Sequence, residues 1–296
     1  MKKNALKDCR SDKVFYAVNA CLLLFFFLIT LYPLMSLISG GISSPGAVYT
    51  GKVTFYPVGF SLKGIAYNLQ NPKVLKGFAN SVFYTVVGTC LNVTVTLFTG
   101  YALSRKELPL RSGISFLLSF TMWFSGGLIP TYLLVRDIGM LNTRWALLIP
   151  GLISVYNTIV CRTYIQSTIP EEMFEAATID GCGYFRFLFA MVLPLSGAIV
   201  AVLTLWYAID HWNEYFNALV YVYDINKQPL QMYLRQVLVT SNTVDMSDVE
   251  SDIENLGIQE LIKNSLILVS CLPLWIAYPF VQKYFVKGVM IGSVKG

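Results

Sequence analysis

The sequence predicts an all-α membrane protein with six transmembrane helices, and three observations carry that expectation. Hydrophobic residues make up 55% of the 296 and charged residues only 13%, against about 25% charged in an ordinary soluble domain. A soluble chain this long could bury a large core but would still need a charged skin. Without one, much of the surface must face something other than water, and lipid is the simplest candidate. Long runs lack Asp, Glu, Lys and Arg altogether: 14–51, 77–104, 112–135, 145–161, 187–209 and 264–282. These runs do not alternate as the strands of a membrane β-barrel would; Phe25-Phe26-Phe27-Leu28 and Leu266-Ile267-Leu268-Val269 are unbroken.

One helical crossing of a hydrocarbon layer needs about 20 residues, and backbone amides cannot stay unpaired in lipid. Trimming by hydrophobicity places crossings near 14–38, 80–103, 112–135, 145–166, 195–219 and 262–283. The first begins like a signal peptide, with Lys2, Lys3, Lys7, Arg10 and Lys13. Its apolar run of about 25 residues is too long for a signal core, so it reads as a retained helix. The expected divisions are a cytoplasmic segment 1–13, the first helix 14–38, an extracellular loop 39–79, a transmembrane core 80–284 and a cytoplasmic tail 285–296.

Orientation follows from basic residues in the loops. With the N-terminus inside, thirteen of the 22 Lys and Arg lie on inner segments, among them Arg105, Lys106, Arg111, Arg162 and Arg186. The other nine are thinly spread over the outer loops, so both termini are expected in the cytoplasm and the chain in the cell membrane. The outer loop 39–79 is rich in turn formers, from Gly40-Gly41 to Asn71-Pro72. The outer loop 220–261 carries Asp245, Asp248, Glu250, Asp252 and Glu254. That run lacks the central Gly and ligand spacing of a calcium loop and reads as a solvated face.

The net charge of +5 is modest and no basic patch has interleaved aromatics, so nucleic acid is not an expected partner. Six cysteines, Cys9, Cys21, Cys90, Cys161, Cys182 and Cys271, form no C-x-x-C pair, and neither a disulfide framework nor a metal site is expected. Gly46-Ala47-Val48-Tyr49-Thr50-Gly51-Lys52-Val53 nearly spells a P-loop. Val53 stands where Ser or Thr should hold magnesium, and Pro57 and Gly59 follow where a helix should begin. With no catalytic set and no cofactor site in the chain, any ATP hydrolysis must come from a partner.

The loop between the fourth and fifth crossings is the most informative stretch. Thr168 followed by Glu171 reads as a capping box, with Pro170 in the first turn, Glu171 and Glu172 at the positive end of the dipole and Gly181 as a C-terminal stop. A short helix over 169–181 is therefore predicted. Ala176 and Ala177 would let another protein approach closely, and Phe174, Tyr184, Phe185, Phe187 and Phe189 offer apolar anchors. From this chemistry alone, a docking helix and an amphipathic linker lying on the bilayer both remain open.

Glu175-Ala176-Ala177, then Gly181, Met191 and Leu193-Pro194, at the spacing found here, resembles the "EAA" motif of permease subunits in ATP-binding-cassette (ABC) importers, with Met191 where Ile is usual. Gly100-Tyr101-Ala102-Leu103-Ser104-Arg105, Trp212-Asn213-Glu214-Tyr215-Phe216 and the tail Tyr284–Gly296 are similar to the sugar branch, the maltose-type permeases. Asn226-Lys227-Gln228-Pro229-Leu230-Gln231 looks closest to an oligosaccharide subgroup of Gram-positive bacteria. The resemblance covers roughly residues 10–296. It implies a type I importer permease fold and a coupling helix at 169–181 that inserts into an ATPase subunit. Glu175, Ala176, Ala177, Asp180 and Gly181 would form that contact. It also implies a second homologous permease, in a heterodimer, two copies of a cytoplasmic ATPase holding ATP and Mg, and an extracellular substrate-binding lipoprotein.

For a sugar path the candidates are Asp210, His211 and Glu214 near the outer end of the fifth crossing, with Trp206, Tyr207, Trp212 and Asn213. Sugar CH faces pack on aromatic rings, and hydroxyls seek amides and carboxylates. The same residues could instead form the interfacial belt or a subunit contact. Trp123, Asn157 and Tyr156 are further candidates against ordinary helix packing. Asn92-Val93-Thr94 fits a glycosylation sequon but lies inside a crossing, where it should be inert. An ion-coupled secondary transporter would show paired intramembrane charges and broken helices in repeated halves, and a membrane enzyme a clustered catalytic set; the sequence displays neither.

Overall fold

The computed structural model describes the backbone of residues 10–240 and 253–293, and the side chains over 11–239 and 257–279. Lys2, Lys3 and Lys7, and Asp245, Asp248, Glu250 and Asp252 of the acidic run, lie outside the described residues. Among the described residues every regular element is helical, and they group into two units, 1–70 with 238–269 and 71–237 with 270–296.

The first unit begins with α1 (Arg10–Gly41). Its apolar side chains from Val14 to Ile29 are all exposed, the surface that lipid or another protein must cover. After α1 the chain turns through α2 (Pro45–Tyr49) and α3 (Lys63–Gln70). Small residues allow close approach here. A Cβ at Gly40 or Gly64 would press on Asn264 or Ser265, in the first part of α15 (Ile253–Ser293). Buried Asn68 ties this unit together, donating to the Ile262 carbonyl at 3.0 Å and Ser265 Oγ at 2.9 Å.

The second unit is organised around α4 (Pro72–Ser104). Asn71 Oδ1 caps its start by accepting from the Lys73 N–H at 3.0 Å, with Pro72 in the first turn. The expected crossing at 80–103 is thus a longer, 33-residue helix. It packs against α8 (Val155–Thr168) and α12 (Gly197–Trp212). At Gly100 the approach to α8 is close enough that an ideal Cβ would stand 2.8 Å from Cys161 Sγ. Around this crossing Leu97, Tyr101, Cys161, Ile165, Leu188, Val192 and Leu203 form one core cluster. A second, on Tyr84, gathers Val135, Ala146, Leu147, Leu148, Ala218 and Tyr221 from α6 (Leu128–Asp137), α7 (Trp145–Leu148) and α13 (Phe216–Tyr221).

Among the described residues, helix length and apolarity allow three single crossings, Ser11–Gly41, Pro72–Ser104 and Gly257–Pro279, and up to five if each bent pair counts once. The stretch expected to cross at 112–135 is split. The helix α5 (Arg111–Trp123) meets α6 at 116°, across Phe124–Gly127. Gly127, at φ +85, takes a conformation costly for other residues. The stretch at 145–166 consists of α7, a break at Ile149–Ser154 containing Pro150-Gly151, and the 14-residue α8. The fifth begins at Gly197, after an 84° bend from the helical run Tyr184–Leu195, and stops at Trp212. Apolarity is continuous through these breaks, which is why the absence of charge does not reveal them.

Side chains of α4 satisfy the backbone that the irregular segments leave open. Asn80 Nδ2 donates to the carbonyls of Asn226 (2.8 Å) and Gln228 (3.1 Å), and Tyr84 Oη to that of Lys227 (2.7 Å). Ser81 Oγ accepts from the Leu230 N–H at 2.9 Å, at the start of α14 (Leu230–Thr240). In the same loop Asp224 caps a short turn, and the Asn226 N–H it accepts is the main cause holding its carboxyl below the usual range.

Gly100→Val is expected to overpack the α4–α8 crossing and lower the thermal unfolding midpoint in detergent, at a cost of about 1–3 kcal/mol. Gly113→Ala, a helical site with open space around it, should leave the midpoint unchanged or raise it slightly.

Candidate functional site

Two regions of the second unit concentrate the residues that the sequence singles out. The first is α9 (Glu171–Ile179). The expected capping box does not form. Thr168 is the last residue of α8, Ile169 is extended at φ −113, ψ 105, and Pro170 itself is the N-cap. A residue preceding proline is pushed out of the helical region, so the break falls at Ile169 and Thr168 cannot cap α9. Glu171 instead faces Arg105 and Lys106, at 3.9 and 4.0 Å.

The C-terminal stop forms as expected. Gly181 takes φ +76, its N–H reaches the Thr178 carbonyl at 3.0 Å, and the Cys182 N–H reaches the Ala177 carbonyl at 2.8 Å. That pair of bonds is the Schellman arrangement. The helix therefore spans 171–179, inside the 169–181 expected.

One face of α9 is fixed to the bundle. Phe174 is 6% exposed and packs edge-on against Phe187 with ring centroids 5.1 Å apart. It also lies beside Tyr184, whose carbonyl accepts from Tyr101 Oη. The sequence suggests Phe174 and Phe187 as anchors for a partner; they instead anchor α9 to its own core, because their rings join the buried cluster of Leu97, Tyr101, Cys161 and Ile165. The opposite face is open. Glu172, Glu175, Ala176, Asp180 and Gly181 are exposed, Ala177 is half-buried and Ile179 is 87% exposed. Phe185 and Phe189 also remain exposed nearby.

The second region is a cleft of about 430 Å³ at the α12–α13 end. Tyr207, Asp210, His211, Asn213 and Glu214 all line it, with Ser154, Tyr215, Asn217 and the Pro150-Gly151 backbone. Asp210 and His211 lie in the last turn of α12, Asn213 is its C-cap and Glu214 follows directly, so the break after Trp212 opens the backbone beside them. Glu214 is occupied: its two oxygens accept from the Asn217 N–H (3.0 Å) and side-chain amide (2.7 Å), capping the start of α13. Tyr207 Oη shares a 2.7 Å hydrogen bond with Thr96 Oγ1. Asp210 is exposed to the cleft, which leaves its carboxylate able to accept from a ligand hydroxyl.

Four other sugar-path candidates lie elsewhere. Trp212 is 4% exposed, stacks edge-on against Phe78 and donates to the Ser270 carbonyl at 2.9 Å. Asn157 is buried in the first turn of α8, where its N–H meets the N-cap Ser154. Trp206 is half-buried, with Tyr156 at 5.9 Å, and Trp123 is 84% exposed at the end of α5.

Asn92, which the sequence marks only as an inert sequon, lies at the wall of the cleft. It is 2% exposed. Its amide nitrogen donates to the carbonyls of Gly151 (2.8 Å) and Leu152 (3.2 Å), and its oxygen is 3.0 Å from His211 Nε2. One side chain therefore joins α4, the 149–154 break and α12. Gly88 makes room for the imidazole, since a Cβ there would collide with the His211 ring. The signal for it in the sequence is an amide centred in an uncharged crossing, where a buried polar group is costly unless it has work to do.

No family model matches the chain. It is 37% identical over 279 residues to the polygalacturonan/rhamnogalacturonan transport system permease protein YtcP of Bacillus subtilis, covering 93% of this chain and 96% of that one. With protein LplC of the same organism the identity is 35% over 99% of both. The fold matches a chain in the crystal structure of a bacterial ABC transporter involved in the import of the acidic polysaccharide alginate. The TM-score is 0.84 at 35% identity, over 95% of this chain and all of that one. The chain belongs to the permease subunits of ABC importers, in the branch whose named members carry sugars. Such permeases have no ATPase site of their own; that activity resides in a separate subunit.

Asn92→Leu is expected to leave the Gly151 and Leu152 carbonyls and His211 unpaired. The cost should be about 1–3 kcal/mol, read as a lower unfolding midpoint. His211→Ala, which removes one of the three links, should cost less.

Proposed function

We propose that this chain carries a sugar or oligosaccharide across the cell membrane by alternating access, driven by ATPase subunits that dock on α9. The observation that carries the reading is the two-faced construction of α9. Phe174 fixes its back to the bundle, while Glu175, Ala176, Asp180 and Ile179 stand open on the other side. A capped helix of this kind can be displaced as a unit by a protein that grips its outer face. In this reading Glu175, Ala176, Ala177, Asp180 and Gly181 form the docking contact, and ATP and Mg are held by two copies of the ATPase. Residues 1–13 and 285–296 and α9 lie in the cytoplasm, as the basic loops favour.

The cleft at the other end of α12 provides the sugar path, with Asp210, His211, Asn213 and Tyr207 as ligand groups. Glu214 acts there by shaping the start of α13, Asn157, Trp206 and Trp212 act through packing, and Trp123 stands exposed at the end of α5 as a further path residue. A second, homologous permease completes the pore as a heterodimer, and an extracellular lipoprotein delivers the substrate. Relatives whose names specify polygalacturonan/rhamnogalacturonan or melibiose, raffinose and stachyose support an oligosaccharide as the cargo class.

Glu175→Ala is expected to cut uptake at least about tenfold, the effect of losing roughly 1.4 kcal/mol at a charged contact, and to weaken ATPase capture on purification. Unchanged uptake and capture would refute the docking role. Asp210→Asn should instead raise the substrate concentration for half-maximal uptake while leaving ATPase capture intact.

A further inference from the structure

We propose that Arg105 and Glu171 form a two-position strut that passes displacement of α9 into α4; this rests on the docking role of α9 proposed above. Arg105 ends α4, and its side chain is 4% exposed. Its guanidinium is caged by aromatic rings, 4.9 Å over Phe174, 5.6 Å over Tyr101 and 6.0 Å over Phe187. Nε donates to Ser104 Oγ at 3.2 Å, but buried Nη1 has no hydrogen-bond partner. The carboxylate facing it is Glu171, at 3.9 Å. A charge-assisted hydrogen bond closes to about 2.8 Å, so the pair stands roughly 1 Å short of a full bond.

A buried cation with an unmet donor is costly, and that cost is recovered when the carboxylate arrives. Room for the movement exists. A polar cavity of about 300 Å³ lies at this gap, bounded by Ser104, Arg105, Lys106, Gln166, Ile169 and Glu171. Lys106, with its side chain 71% exposed, faces the same carboxylate at 4.0 Å. Glu171 is thus suspended between a buried cation and a solvated one, and a small shift of α9 decides which it engages.

The lever is short at one end and long at the other. Glu171 is the first residue of α9, so a rigid displacement of that helix moves its carboxylate directly. Arg105 is joined to α4, and Asn92 lies thirteen residues back along that helix, about 20 Å at 1.5 Å per residue. Closing the Arg105–Glu171 gap therefore pulls on the helix that holds the 149–154 break and His211 in place. The open gap and the closed gap are two discrete arrangements that a docked ATPase could bias.

The test uses the complete importer, this chain with its partner permease, ATPase subunits and binding protein, in proteoliposomes. ATP hydrolysis and sugar uptake are measured on one preparation for the native chain, Glu171→Gln and Arg105→Lys. The strut predicts that ATPase subunits remain bound and hydrolysis persists, while ATP consumed per sugar imported rises about tenfold in Glu171→Gln. A purely structural role would lower hydrolysis and uptake by the same factor, and an unchanged ratio overturns the proposal. Glu171 is partly exposed, so that variant decides the matter even if Arg105→Lys does not assemble. A native chain that captures no ATPase refutes the docking role itself, a different failure from an intact complex with an unaltered ratio.

Discussion

The hydrocarbon layer contains no water to pair with an open amide or carbonyl, and the second unit of this protein is built around that constraint. Its helices are interrupted at 124–127, 149–154, 196 and 213–215, and an interruption in lipid is tolerated only where other groups satisfy the backbone. Much of that supply comes from α4. Asn80, Ser81 and Tyr84 serve the loop before α14, Asn92 serves the break before α8, and Tyr101 serves the turn at Tyr184. A helix that is apolar on average thus carries a column of polar side chains, nearly all turned inward.

This arrangement links packing to function. An interrupted helix has ends, and ends can bend or slide where a continuous helix cannot. The cleft lined by Asp210 and His211 opens beside two such interruptions, and α9 sits at the far end of the same supporting helix. Arg105 and Asn92 therefore occupy one mechanical element. Small residues keep that element close to its neighbours: Gly100 admits Cys161, Gly88 admits the His211 ring and Gly77 admits the backbone of Leu230. Tight contact of this kind transmits displacement instead of absorbing it.

The sequence is legible where local rules suffice. Long uncharged runs announce the membrane helices, and Gly181 announces the end of α9 because only a glycine takes a left-handed turn without cost. Asp210, His211, Asn213 and Glu214 group together because they fall within five consecutive positions where α12 ends. The rest depends on contacts between distant segments. Nothing around Phe174 tells whether it faces outward or into the core, since that depends on Phe187 and Arg105 arriving from other helices. Thr168 promises a cap that Pro170, two residues on, prevents. Asn92 escapes notice because its partners are backbone carbonyls near residue 150, which carry no mark in a sequence. The breaks at Pro150-Gly151 and Gly126-Gly127 do carry a mark, which the absence of charge hides.

Sidedness of α9 is the point on which the account stands. Replacing Ile179, 87% exposed on that helix, with Cys in a chain stripped of its native cysteines gives a unique handle for a membrane-impermeant maleimide. The account predicts no labelling in intact cells, full labelling in inverted vesicles, and protection there once ATPase subunits are bound. Labelling of intact cells would contradict it.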